Sequence, residues 1–136
     1  FYPLLTKYRH RIVGGVVHCF TASRKILDSY LDLDMHIGIT GWICDERRGK
    51  GLQKIAHNIP ENRLLIETDS PYLLPRTIRP KPKSRRNEPK FLPEVAKSVS
   101  EHSGKTLEEI ATITTQNAIS LFNLPIKDVT LNHPVD

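Results

Sequence analysis

Leu64-Leu65-Ile66-Glu67-Thr68-Asp69-Ser70-Pro71-Tyr72-Leu73-Leu74 is the stretch whose reading decides the fold. It opens as a short apolar run of the kind that fills a buried strand, then switches to two carboxylates, Glu67 and Asp69, before Pro71 stops the ladder. Side chains alternate along a strand, so this spacing expects both acids on one face. Carboxylates where a buried strand gives way to a loop must meet a cation, a donor or water. The stretch reads either as metal ligation or acid–base chemistry, or as a strand end with solvated acids.

Upstream, Met35 to Thr40 reads as a second short strand closed by Gly41, and Ile12 to Phe20 as a β-rich run around Gly14 and Gly15 with His18 near its end. Ser23 offers a cap for a helix whose apolar face is Ile26, Leu27, Tyr30 and Leu31, ending around Asp34. Leu52, Ile55 and Ala56 suggest a short helix before the turn at Pro60, and Phe1 to Arg11 the tail of another. Strand, helix, strand, helix, strand with short connections is the pattern of parallel βαβ units, which places the chain in the α/β class.

Downstream, Pro75 to Pro89 carries too many prolines for a helix or a central strand and reads as an extended loop. Pro93 fits the first turn of a helix stopped by Gly104, and Thr106 with Glu109 forms a capping-box pattern for the next. Asn117 to Phe122 continues helically, and Ile126 to Asp136 has no strong pattern and is expected to be a loose tail beyond a 1–125 domain.

Charge is concentrated. The formal net charge is +5, and Arg76, Arg79, Lys81, Lys83, Arg85, Arg86 and Lys90 crowd one segment whose only acid is Glu88. Arg47, Arg48 and Lys50 form a smaller cluster. Segments like these meet phosphate or serve as solvated loops. Two cysteines, Cys19 and Cys44, give no disulfide framework and suit a reducing, cytosolic setting. No apolar run approaches the roughly 20 residues that span a bilayer, so no membrane is expected. Because the first residue is Phe1, a processed product or a fragment is expected.

Every candidate residue falls at or just past the end of an expected parallel strand: His18 after the first, the 41–49 loop after the second, Glu67 and Asp69 after the third. In parallel α/β folds those ends converge on one face, where active sites are built. His18 and Asp69 are then a plausible metal pair, two ligands where zinc needs three or four.

Four blocks in order carry a resemblance: Gly15 to Thr21 (GVVHCFT), Ile37 to Gly49 (IGITGWICDERRG), Leu64 to Pro75 (LLIETDSPYLLP) and Arg85 to Pro89 (RRNEP). They resemble the TatD family of metal-dependent deoxyribonucleases, the bacterial TatD type most. The resemblance implies a TIM-type (β/α)8 barrel of which this chain is the carboxyl-terminal part, strands six to eight with their helices. It implies a metal-dependent exonuclease on DNA, with His18 and Asp69 as metal ligands and Asp69 handling the proton of the attacking water. Glu67, Asn87 and Glu88 match motifs that support the site, and Arg85 and Arg86 are placed to hold a single strand, with Trp42 or Tyr72 for base stacking. The implied cofactor is a divalent cation, Mg²⁺ first, with Zn²⁺ or Mn²⁺ as alternatives. The family's amino-terminal histidine pair, bridging glutamate and one further histidine have no counterpart here, so the chain by itself is expected to be a poor metal binder, inactive, and prone to associate through an uncovered strand edge. Two other readings stay open: a non-catalytic nucleic-acid-binding module, and a small-molecule amidohydrolase. The oligomeric state is not fixed by any of this.

Overall fold

Three short parallel strands, β1 (Val16–Val17), β2 (His36–Ile39) and β3 (Leu64–Ile66), lie in chain order in the computed structural model, which describes residues 1–126. The register sets Val17 against Ile37, and Ile37 and Ile39 against Leu64 and Ile66. Parallel neighbours cannot be joined by a tight hairpin. Helix α2 (Arg24–Asp32) makes the first crossover and α3 (Lys50–Ile55) the second. Helix α1 (Tyr2–Tyr8) precedes the sheet; α4 (Leu92–Ser103) and α5 (Leu107–Phe122) follow it. The α/β reading with a parallel sheet therefore holds. Of the expected tail, residues 127–136 lie outside the described residues.

The first strand is much shorter than the β-rich run from Ile12 to Phe20 suggests. Val16 and Val17 alone form it, because Cys19 turns into the left-handed region (φ 51) two residues later. Backbone pairing still continues on both sides, with His36 N–H donating to Gly15 O at 2.9 Å and Phe20 N–H to Gly38 O at 2.9 Å. Val13, at the outer side of this strand, is fully exposed, and β1 has β2 as its one strand partner among the described residues.

The centre of the sheet is dry. Ile37 and Ile39 of β2 are completely buried, as a central parallel strand covered on both faces requires. Leu27 of α2, Ile43, Val95 and Val99 of α4 and Ile110 of α5 close around them with essentially no exposure. Each such side chain removed from water contributes about 1.5–3 kcal/mol before chain entropy is subtracted.

Helix ends follow the local chemistry with one exception. Pro93 stands in the first turn of α4, and Gly104 at φ 75 ends it in the left-handed conformation that glycine adopts freely. Thr106 and Glu109 make the full capping box of α5, which runs unbroken to Phe122. Ser23 precedes α2 with extended backbone, but its hydroxyl accepts no bond from the first turn, so the expected side-chain cap is absent there. Asn117 of α5 donates to Glu61 O at 2.6 Å and Leu64 O at 2.8 Å, fixing the incoming end of β3. Among the described residues no helix is long and apolar enough to cross a membrane.

Candidate metal and active site

The outgoing ends of the three strands share one rim, and His18, just past edge strand β1, reaches the groups that follow β3. Its Nδ1 is hydrogen-bonded to Glu67 Oε2, and its Nε2 lies 3.2 Å from Asp69 Oδ1. Residues 49 and 51 positions apart in the chain thus flank one imidazole, as the parallel arrangement expects. The ring is largely exposed while Glu67 is only 20% exposed, so the site is anchored from beneath and open above.

Backbone geometry explains how each group arrives. Glu67 follows β3 directly, and its N–H donates to Ile39 O at 2.8 Å, one ladder bond past the strand. Its carboxyl lies over Gly38 of β2: a Cβ on that residue would stand 1.6 Å from Glu67 Oε1. Glycine inside a strand signals such close approach, and the missing side chain of Gly38 leaves the space that the Glu67 carboxyl fills. Burial pushes the Glu67 carboxyl above the ordinary glutamate range, against the pull of His18 beside it.

Asp69 is not delivered by strand alternation. It lies beyond β3 at φ 60, so the expected one-face argument fails for it and a turn aims its carboxylate instead. Aspartate tolerates this left-handed conformation better than most residues. Cys19 (φ 51) and Leu73 (φ 56) adopt it on the same rim, at a cost of about 1–3 kcal/mol each that the surrounding structure must offset. Gly41 leaves room for this turn, since a Cβ there would meet Leu73 O at 2.1 Å.

Asn87 holds the turn. It is 2% exposed, and its Nδ2 donates to Thr68 O at 2.6 Å and to Tyr72 O at 2.7 Å, one carbonyl on each side of Asp69. Its own N–H donates to Pro71 O at 3.0 Å, and its Oδ1 accepts from Glu88 N–H at 2.9 Å. Glu88 turns its carboxylate to Lys90 at 3.0 Å, away from His18 and Asp69.

The expected nucleic-acid contacts gather elsewhere. Arg85 lines a cavity of about 700 Å³ between the 41–48 and 73–85 segments, together with Trp42, Arg48, Arg76 and Lys81. Arg86 is not among its lining residues, nor are His18 and Asp69. The structure therefore brings His18, Glu67, Asp69 and Asn87 together and leaves Glu88 and Arg86 outside both places.

The donor chemistry at His18 fits a cation. A neutral imidazole has one N–H and one lone pair, whereas both of its neighbours are acceptors. With Nδ1–H given to Glu67, the Nε2 lone pair faces Asp69 Oδ1, an opposition that a proton or a metal ion resolves. The 3.2 Å between those atoms is the spacing of adjacent ligands about 2.1 Å from one ion. Among the described residues no group of three or more His, Cys, Asp and Glu side chains is arranged to hold a metal.

Comparison with known proteins places the chain in a family. The family model described as TatD related DNase matches residues 1–123. A protein of Edwardsiella piscicida named 3'-5' ssDNA/RNA exonuclease TatD is 52% identical over 124 residues, 91% of this chain and 48% of that protein. The Klebsiella pneumoniae protein of the same name is 46% identical over 129 residues, 95% of this chain and 49% of its own length. Among solved structures, the TatD homolog YJJV of Escherichia coli K12 superposes with a TM-score of 0.77 at 27% identity, covering 91% of this chain and 46% of its own. A TatD family hydrolase of Entamoeba histolytica gives 0.75 at 25% identity, over 88% of this chain and 45% of its own. The chain spans about half the length of the relatives it matches.

Proposed function

The chain belongs to the TatD related DNase family, and from that membership we propose that it supplies part of the metal site and the proton acceptor of a phosphodiester hydrolase acting on single-stranded nucleic acid from an end. The observation that carries this reading is the His18 ring set between Glu67 and Asp69. Its three strands are read as strands six to eight of a TIM-type barrel, completed by residues corresponding to the other half of the relatives' length.

In this account His18 and Asp69 would hold a divalent cation, Mg²⁺ first, with Mn²⁺ or Zn²⁺ as alternatives. The bound ion supplies Lewis-acid chemistry, acidifying water and offsetting charge on a phosphoryl oxygen. Asp69, 30% exposed and aimed from its turn, receives the proton of the attacking water. Glu67 accepts from His18 Nδ1 and so keeps Nε2 free of a proton and turned toward the ligand position, the role that a carboxylate behind a ligating histidine commonly has. Asn87 keeps the Asp69 turn closed. Cys19 and Cys44 are both free thiols, which supports a reducing, cytosolic place of work.

The test is a chimera in which this chain replaces the matched segment of the Edwardsiella relative. With Mg²⁺ or Mn²⁺ it is expected to shorten a labelled single-stranded oligonucleotide, and Asp69→Asn is expected to abolish that shortening. Undiminished digestion by the Asp69→Asn chimera contradicts the proposal. The binding-module reading predicts no digestion in either chimera.

A further inference from the structure

The cavity beside the candidate site is walled by two loops that the sequence keeps 30 residues apart, and Arg76 ties them together through Glu46 and, at 3.8 Å, Asp45 Oδ2. Arg76 grips Glu46 with two parallel bonds, Nε to Oε2 at 2.9 Å and Nη2 to Oε1 at 2.6 Å. This is the fork geometry in which a guanidinium also takes a phosphate. Arg76 holds the Glu46 carboxyl down at about 2, so the carboxylate stays charged and keeps its place at any ordinary pH. Asp45 stiffens the same wall, its Oδ1 accepting from Arg47 N–H at 2.8 Å and Arg48 N–H at 2.9 Å.

The other cations on the walls are not so engaged. Among the described residues Arg48, Lys81, Lys83 and Arg85 form no ion pair, and all four line the cavity. Arg79 spends one nitrogen on the carbonyls of Arg76 and Ile78, both at 2.8 Å. The Arg48 guanidinium lies 5.7 Å from the centre of the Trp42 ring, which gives the cavity a half-buried aromatic wall beside its charges. Unpaired cations along an extended loop with an aromatic platform match the backbone and bases of an unpaired strand.

We infer that this cavity is the track that holds the phosphodiester backbone of a single strand away from the reacting phosphate, and that Glu46 occupies the position of one backbone phosphate on Arg76. The inference rests on the proposed nucleic-acid substrate but assigns its residues independently of His18 and Asp69. Binding by the track needs no metal, and it reads phosphates rather than sugars, so deoxyribose and ribose strands behave alike.

The experiment is fluorescence anisotropy of the 136-residue chain with labelled oligothymidylate and oligouridylate in EDTA, between about 50 and 200 mM salt. The triple change Arg48→Gln, Lys81→Gln, Arg85→Gln is expected to flatten the log–log salt slope by about 2, at about 0.7 per lost phosphate contact on a single strand. Lys25→Gln, Lys54→Gln, Lys97→Gln, which removes as much charge from exposed positions elsewhere, is expected to leave the slope nearly unchanged. Glu46→Gln is expected to tighten binding several-fold and steepen the slope by about 0.7, a gain that misfolding cannot imitate. The inference is overturned if the two triple variants lose the same slope, or if Glu46→Gln binds no more tightly. Asp69→Asn is expected to leave binding intact, so loss of digestion alone bears on the proposed function and loss of the salt response alone bears on the track.

Discussion

Glu67 and Glu46 are the same residue in two settings, and their environments push them in opposite directions. Burial over Gly38 raises the Glu67 carboxyl, with His18 opposing it, whereas exposed Glu46 is pulled down to about 2 by the two bonds from Arg76. The first belongs to a corner where backbone and buried side chains fix every group; the second to a cleft where long, solvated side chains meet across loops. Close packing beneath the open His18 ring makes the corner sensitive to single atoms, while the exposed charges of the cleft are screened by salt. In the proposed function the two regions divide the work of one substrate: the corner would meet the reacting phosphate and the cleft the strand.

The largest effect expected from this division is at Asp69. In the chimera Asp69→Asn is expected to lower digestion by about 10²–10⁴, the range for loss of a positioned proton acceptor, with single-strand binding unchanged. Parallel loss of both would erase the distinction between corner and cleft.

Next is Asn87→Ala, expected to destabilise the chain by about 2–4 kcal/mol in urea titration, since the Thr68 and Tyr72 carbonyls lose their shared donor in a buried place. No exposed substitution in the cleft is expected to approach that figure. Gly38→Ala follows at about 1–3 kcal/mol, because its Cβ must displace the Glu67 carboxyl or shift β2. Its sharper readout is the His18 ring, whose NMR signals are expected to move as they do in Glu67→Gln. A Gly38→Ala protein with unchanged His18 signals would show that Glu67 does not need that space.

The smallest effect is on pH dependence in EDTA. A carboxyl raised on folding stabilises the fold below its unfolded value, and that contribution is lost as pH rises through the folded value. Glu67→Gln is therefore expected to flatten the fall in stability above the ordinary glutamate range. Glu46 is lowered instead, so its contribution is present above that range and lost as pH falls toward about 2. Glu46→Gln is expected to flatten only the acid limb, and weakly, because the pair is exposed. Identical pH profiles for the two variants would contradict the contrast.

Much of the corner was legible in the chain because it depends on order and period. Apolar runs ending at His18, Thr40 and Ile66, separated by helical patterns, require parallel strands with their ends together. Asp69 was found for a reason that only half applies: its spacing from Glu67 suggested strand alternation, yet a left-handed turn places it. Such a turn has no period to read. Asn87 was matched as a supporting residue, but its grip on the carbonyls flanking Asp69 joins segments 15 and 19 residues apart, which no local rule reports. The cleft was legible only as charge. Nothing in the run of basic residues shows that Arg76 is taken by Glu46, that Arg85 faces the cavity with Arg48, or that Arg86 does not.

His18 and Asp69 are proposed to share one cation. That proposal is tested most directly by titrating Mn²⁺ into the chain and following paramagnetic broadening of the histidine ring signals. The account predicts that His18 broadens first and that Asp69→Asn suppresses the effect. Equal broadening of all the histidines, or undiminished broadening of His18 in Asp69→Asn, would contradict it.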